Sequence, residues 1–375
     1  MDFSLNEETI LLRSSARRYL KEHCPTSFVR EMAKDEQGFS RAMWKEMAEL
    51  GWLGLSYEET YGGTGGSLLD LAILMEEMGK ALLPSPFFCC IVLAGLVINE
   101  AGNAQLKEDY LPQMIRGEKI LTLASLDERG RYDHRVPKTE VRDHGDGLCV
   151  MNGTRILVPY AHVAEEILVC ADYTDSKKHG PTIFRTLRES GQKILPAETL
   201  TGEKLSIVLY EDTKLSSTDV LGSPGQGSSY IEKILPKAVI CKCAEMVGGL
   251  DRVVEMTVQY MKERVQFGRP LGALQAVQHY CADMATYLES SRLIAYQAAS
   301  LLSECISCEK EIAIAKAWCS DAYKKCSWIA HQLHGGIGFT EEHDLHLYYQ
   351  HAKASELMFG DSFFHRMEVA RQMGY

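Results

Sequence analysis

The feature that most constrains this chain is a change of period that happens twice. Up to about residue 119 apolar residues recur at helical spacing; between Ile120 and Leu221 they fall into short β-branched runs between polar turns; from Tyr230 onward the helical spacing returns. The β-region reads as strands at Ile120–Ser125, Leu148–Met151, Arg155–Pro159, Glu166–Ala171, Thr182–Arg185 and Ser206–Tyr210. Strands grouped in this way suggest a sandwich or barrel and exclude the strand–helix alternation of a parallel dinucleotide fold. The expected architecture is α+β and multidomain: a helical domain over 1–119, a β-sandwich or barrel over 120–222, and a four-helix bundle over 223–375.

Local signals sharpen the outline. Ser4 and Glu7 have capping-box spacing, and Leu5, Leu12, Ala16, Tyr19 and Leu20 then share one face. The stretch Tyr61-Gly62-Gly63-Thr64-Gly65-Gly66 has no preceding strand and no following Lys-Ser/Thr, so it reads as a turn between helices and not as a phosphate loop. The run Gly222–Ser229 has the residues of a hinge. Beyond it, Leu250, Val253, Val254, Thr257, Val258 and Met261 form one helical stripe, and about Gln275–Ser303, Glu309–Gly335 and Asp344–Met373 predict further long helices.

A formal charge of −11 argues against phosphate backbones and anionic lipid as partners. The amino terminus shows no signal-peptide pattern and no run approaches a membrane span, so a cytoplasmic protein is expected. Its twelve cysteines then read as free thiols. Cys305-x-x-Cys308 has no second pair at zinc-finger distance and reads as a thiol pair on a helix. His331, His334, His343 and His346 have spacings open to metal binding, but no carboxylate is clearly placed with them; no metal is expected.

Three strings resemble the acyl-CoA dehydrogenase family, and the resemblance covers nearly the whole chain: Gly54-Leu55-Ser56-Tyr57-Glu58-Glu59-Thr60-Tyr61-Gly62-Gly63-Thr64-Gly65; Arg264-Val265-Gln266-Phe267-Gly268-Arg269-Pro270-Leu271 followed by Gln275; and Gln332-Leu333-His334-Gly335-Gly336-Ile337-Gly338-Phe339. The resemblance implies FAD, met across a subunit boundary by Arg264, Gln266, Phe267, Gln275, Gln332, Gly335 and Gly336. It also implies an acyl-CoA substrate of fatty acid metabolism, an electron-transfer flavoprotein as acceptor, and a homo- or hetero-tetramer. A guanidinium fork suits a pyrophosphate, and glycines let a ligand approach the backbone closely.

Measured against that family, the chain departs in four regions. The family's glutamate base precedes a glycine late in the chain; here the string is Leu357-Met358-Phe359-Gly360-Asp361, so Phe359 offers only its backbone N–H as an oxyanion donor. The family's second base location is occupied by Val239. On the flavin side, Ser125 and Leu126 stand in the Thr-Glu-Pro region, and Leu157 and Pro159 in the Trp-Ile-Thr region, where proline supplies no donor. Asp361 and Glu245 are the replacement bases to test, although two residues along a helix point about 200° apart, which counts against Asp361. Asp361 is also counted with the cofactor residues. Cys89, Cys90, Val239, Met358 and Phe359 are expected to line the acyl pocket. The resemblance thus implies α,β-dehydrogenation of an acyl-CoA thioester with hydride transfer to flavin, by a non-standard base or on a specialised substrate; the alternative is a base-lacking subunit whose partner chain supplies the carboxylate.

Overall fold

The computed structural model describes residues 5–130, 137–144, 147–174, 179–188 and 190–375. Helices α1 (Glu7–His23), α2 (Thr26–Lys34) and α3 (Arg41–Glu49) are followed by α4 (Leu68–Ala81), and a π-helical stretch, Phe88–Gly95, runs into α5 (Leu96–Ala101) and α6 (Ala104–Ile115). Ser4 lies outside the described residues; the start of α1 is capped by Asn6, whose side chain accepts from Thr9 N–H at 2.7 Å. An asparagine there does the work expected of a Ser4–Glu7 box, two residues later.

Strands β1 (Leu121–Ala124), β2 (Leu126–Asp127), β3 (Glu140–Asp143), β4 (Leu148–Pro159), β5 (Glu166–Thr174), β6 (His179–Leu187), β7 (Lys193–Ala197), β8 (Leu205–Ser216) and β9 (Val220–Leu221) form one mixed sheet. Its order is β7-β8-β4-β3-β5-β6-β9, with β1 parallel to β5 and β2 antiparallel to β4. The two runs expected at Leu148–Met151 and Arg155–Pro159 are one strand interrupted by bulges. Val141, Cys149, Met151, Val169, Phe184 and Val208 fill its buried face.

After the sheet come α7 (Gly227–Glu263), the short hairpin β10 (Val265–Gln266) and β11 (Arg269–Pro270), α8 (Gln275–Ser303), α9 (Glu309–His334), α10 (Leu345–Leu357) and α11 (Ser362–Gln372). The apolar stripe of α7 is buried at Leu250, Val253, Val254, Thr257 and Met261, as its spacing requires. The segment expected as a continuous helix over Asp344–Met373 is two helices. Phe359 and Gly360 take positive φ values of 59° and 96°, which no α-helix tolerates, and Asp361 then starts α11 as its N-cap.

The chain forms two compact units: Met1–Glu31, Ser67–Leu83 and Val239–Tyr375, mainly helical; and Met32–Gly66 with Pro84–Ala238, which contains the sheet. In the helical unit, Glu76 and Glu77 of α4 are almost wholly buried. Arg17 of α1 holds Glu77 at 2.7 Å; Arg292 and Tyr296 of α8 hold Glu76 at 3.0 and 2.5 Å. Buried carboxylates persist only when paired in this way. No helix among the described residues is long and apolar enough to cross a membrane.

Candidate active site

In the helical unit the two segments expected to hold a cofactor come together. Met261, Leu271, Ala276, Val277, Tyr280, Trp328, Gln332 and Leu333 line an open hollow of about 320 Å³, joining the β10–β11 region to the end of α9. Val265 pairs with Pro270 and Gln266 with Arg269, so Phe267 and Gly268 form a two-residue turn with φ of 55° and 74°. Glycine and asparagine normally occupy such a turn; the phenylalanine here is strained and its ring is 86% exposed. Arg264, Gln266, Gln275 and Gln332 are also exposed.

At Gly335 the backbone (φ 63°, ψ −141°) is one that side-chain-bearing residues rarely adopt. A Cβ added at Gly335 or Gly336 would meet nothing within 4 Å, so this backbone faces open space. Exposed guanidinium, amides, aromatic ring and bare backbone therefore suit the phosphates and flat base of a dinucleotide.

The sheet unit holds the ring-side positions, and there the chemistry differs. Leu126 pairs with Ile156, which brings Ser125 and Leu126 beside the end of β4. Between Arg155 and Val158 the β4–β8 register slips by a residue, and Leu157 sits in that bulge with φ 52° and 47% exposure. The Pro159 carbonyl accepts from Thr122 Oγ1 at 2.7 Å, and its nitrogen carries no hydrogen. The side chains of Leu126, Leu157 and Pro159 offer a flavin ring apolar contact and no hydrogen-bond donor. The dinucleotide end of FAD thus fits the residues present; of the four ring-side positions Ser125 alone carries a side-chain donor.

Cys89 and Cys90, also in this unit, are buried in the π-helical stretch. Tyr57, from the Gly54–Gly65 string, donates to Ile91 O at 2.6 Å, satisfying a carbonyl of this irregular turn. Its hydroxyl occupies the space a Cβ at residue 95 would need, which explains Gly95. Burial pushes the Cys90 thiol up to about 12, so it is a filler and not a nucleophile.

Back in the helical unit, Val239 is buried on α7, while Met358 and Phe359 are partly exposed in the turn after α10. Asp361 leaves that turn as the N-cap of α11, its Oδ1 accepting from Phe364 N–H at 2.8 Å. Because residues 358–361 are not helical, the 200° separation expected between residues 359 and 361 does not apply; the cap, not helical phase, sets the direction of Asp361.

Glu245 is bound on both oxygens: Lys242 Nζ at 2.7 Å and His351 Nε2 at 2.7 Å. Tyr323 Oη lies 3.3 Å from His351 Nδ1. Burial would raise the Glu245 pKa, but Lys242 and His351 outweigh it and hold the group at about 2. A general base works best near the ambient pH, far above that value.

Sequence reasoning missed Lys316 and His365, which hold the Phe359–Gly360 turn: Lys316 Nζ donates to Glu356 O at 3.0 Å and to Gly360 O at 2.9 Å, and His365 Nε2 lies 2.9 Å from Phe359 O, which it meets as donor because a carbonyl only accepts. Lys316 sits in an alanine-rich helical run where nothing marks it as buried. Of the four histidines with metal-like spacing, His331 and His334 direct Nδ1 at the carbonyls of Ser327 and Ala330, and His334 stacks on Tyr260. Among the described residues no group of three or more His, Cys, Asp or Glu side chains could hold a metal. Cys305 and Cys308 are free thiols in the segment between α8 and α9, Cys308 at the N-cap of α9, and not a pair on a helix.

Helices before and after a mixed sheet give the architecture expected of an acyl-CoA dehydrogenase; of the expected cofactor residues, Gln332 alone lines the hollow. Residues 6–118 match the acyl-CoA dehydrogenase N-terminal domain and residues 225–374 the C-terminal domain. The chain belongs to the acyl-CoA dehydrogenase family, whose members are flavoprotein oxidoreductases. It is 29% identical to the acryloyl-CoA reductase (NADH) of Anaerotignum propionicum, over 100% of this chain and 96% of that protein. A chain of the Tcur3481-Tcur3483 steroid ACAD superposes with a TM-score of 0.87 at 28% identity, covering 99% of this chain and 98% of that one. A chain of the ChsE4-ChsE5 complex from Mycobacterium tuberculosis gives 0.89 at 26%, covering 100% and 99%.

Proposed function

We propose that this chain is the base-lacking subunit of a two-chain, FAD-dependent acyl-CoA dehydrogenase, in which a homologous partner supplies the carboxylate that takes the α-proton of an acyl-CoA thioester. The observation that carries this reading is the engagement of both replacement carboxylates: Glu245 is locked between Lys242 and His351, and Asp361 caps a helix. The absence of side-chain donors at Leu126, Leu157 and Pro159 points the same way. Two relatives above 25% identity carry paired chain names, which makes a paired assembly a natural expectation here.

In this assembly Arg264 and Gln332 would hold the pyrophosphate, Phe267 would cover the flat base, and the Gly335–Gly336 backbone would line the dinucleotide path. FAD, when bound, supplies the hydride acceptor. The residues of this chain bind and orient it, while the partner, whose carboxylate takes the α-proton, holds the thioester. An electron-transfer flavoprotein is the expected acceptor.

The test is to purify the full chain alone and together with a homologue bearing glutamate before the corresponding glycine, and to measure flavin content and bleaching by acyl-CoA thioesters. The reading expects no bleaching by the chain alone, bleaching by the pair, and one FAD per pair. Full flavin occupancy with bleaching by the isolated chain would refute it and restore a relocated base.

A further inference from the structure

The histidines with metal-like spacing surround one short stretch of backbone. His334, the last residue of α9, is buried, its ring stacked on Tyr260 of α7 at 4.5 Å and in edge contact with His343 at 4.8 Å. Its Nδ1 lies 2.8 Å from the Ala330 carbonyl; a carbonyl only accepts, so the hydrogen is on Nδ1 and Nε2 of the neutral ring is a bare acceptor. That Nε2 is buried and has no hydrogen-bond partner among the described residues. His343 takes the opposite tautomer: its Nδ1 accepts from Leu345 N–H at 3.2 Å, which leaves the hydrogen on Nε2. An N–H on one ring and a bare acceptor on the other thus belong to two rings in contact.

These two rings bracket Gly335–Asp344, the segment that carries the open Gly335–Gly336 backbone. A Cβ at Gly338 would stand 3.1 Å from His334 Cβ and 3.4 Å from Leu345 Cδ2, so the segment packs directly on the last turn of α9 and the first of α10. Its Phe339 lies against His331 at 5.2 Å. The elements around the pair bring Tyr260 from α7, His331 from α9, Asp344 and His346 from the start of α10, and Arg30 from α2. Among these described groups the carboxylate, Asp344, has both oxygens taken, by Arg30 at 3.0 Å and Thr26 Oγ1 at 2.8 Å. A second proton on His334 would therefore be a buried cation beside two further histidines. Burial lowers the pKa of His334 and of His343; the Ala330 carbonyl opposes this at His334 and Asp344 at His343, while the neighbouring histidines add to it.

We propose that His334 and His343 form an acid-released latch on the segment Gly335–Asp344: the neutral pair holds it against α7 and α9, and protonation lets it open, loosening the backbone at Gly335–Gly336. The consequence for a cofactor rests on the dinucleotide reading above; the latch itself does not. Opened to solvent, each histidine returns to the ordinary pKa of about 6.5, above its buried value, so below about 6.5 the open segment binds protons that the closed one refuses. Closure weakens as pH falls through that window. Above it both rings are neutral in either state and pH has no effect.

The test follows amide exchange across residues 335–344 of the full chain at pH 7.5 and 5.5, as protection relative to an unstructured peptide of the same sequence. Wild type should lose about tenfold more protection here than in α8, the factor by which one histidine of ordinary pKa favours the open state at pH 5.5. His334→Phe keeps a ring on Tyr260 and removes the titrating nitrogen, so the extra loss should vanish while protection at pH 7.5 is retained. Should that variant fail to fold, His343→Gln must show a smaller acid loss than wild type. A wild-type loss no larger than that of α8, or one that persists in the folded variant, overturns the proposal. FAD retention by the reconstituted pair, measured by equilibrium dialysis, reads the consequence: it should fall at pH 5.5 with the wild-type chain and hold with His334→Phe. Retention that ignores an opened segment overturns the link to the cofactor. A pair that retains no FAD even at pH 7.5 instead overturns the dinucleotide reading and leaves the latch standing.

Discussion

The segments proposed to hold a dinucleotide, in the helical unit, and the positions proposed to face a flavin ring, in the sheet unit, offer a ligand different chemistry. Arg264, Phe267, Gln332 and the Gly335–Gly336 backbone stand exposed, with Phe267 even held on a strained turn. At Leu126, Leu157 and Pro159 the polar groups that would tune a flavin ring are replaced by hydrocarbon. On the proposed reading, one chain keeps the residues that would grip a dinucleotide and offers no side-chain donor at Leu126, Leu157 or Pro159 for its reactive end. A subunit that lends its grip to a cofactor whose ring is served by another chain needs only the first set.

The sharpest way to break that contrast is to supply the missing base. Within a reconstituted pair, replacing the partner's glutamate by glutamine should lower turnover by about 10²–10⁴-fold, the usual contribution of a general base. Phe359→Glu in this chain alone should gain nothing measurable, since Leu126, Leu157 and Pro159 still offer a flavin ring no side-chain donor. Turnover by that single variant in stopped-flow bleaching would show that the ring side was never impaired.

Next in size is Glu245→Gln. Removing the anion leaves Lys242 buried without its counter-charge, so urea unfolding should show a loss of about 3 kcal/mol, with turnover of the reconstituted pair unchanged wherever the protein is folded. Lost turnover with unchanged stability would instead make Glu245 the base. Smaller again is Arg264→Ala, which should weaken FAD retention by roughly 10–100-fold in equilibrium dialysis, the worth of a charge-assisted hydrogen bond. Retention at the wild-type level would remove the dinucleotide role and with it the contrast.

Much of the fold was legible because burial follows period. The segment Gln275–Ser303 is α8 to the residue, and the α7 stripe lies buried where its spacing put it. What escaped was backbone geometry without a residue signal. Leu357-Met358-Phe359 continues an apolar pattern, and nothing in a phenylalanine announces a positive φ, so the turn before α11 read as helix. The short strands Glu140–Asp143 and Lys193–Ala197 are polar and exposed enough to lack alternation and were not seen. In the site, Glu245 was legible as an acid, but its partners lie 3 and 106 residues away, and only the fold shows that both of its oxygens are taken. Lys316 binds backbone oxygens, which every residue has, so no sequence pattern could name its partners.

The smallest expected effect is a pH slope, and it separates the turn from the rest of the helical unit. His365 has a folded pKa of about 4, lowered by burial, against about 6.5 in an unfolded chain. Between those values the unfolded state binds more protons than the folded one, so stability falls as pH falls through this window. Above 6.5 the histidine is neutral in both states and has no effect. From pH 6.5 to 5.5 the loss is about 1 kcal/mol for this one group. Its charged surroundings are Lys316 of α9, which opposes protonation, and Asp361 at the start of α11, which favours it; the first prevails with burial. His334 and His343 are also lowered by burial and add their own slopes, so the measurement is a difference: unfolding free energy at pH 6.5 and 5.5 in wild type and His365→Gln. Glu245, held at about 2, titrates below this range and drops out. The glutamine variant should lose about 1 kcal/mol less than wild type over the interval while keeping the turn's donor. Identical slopes would mean that His365 is not the neutral, buried donor to Phe359 O, and that the turn is held by Lys316 alone.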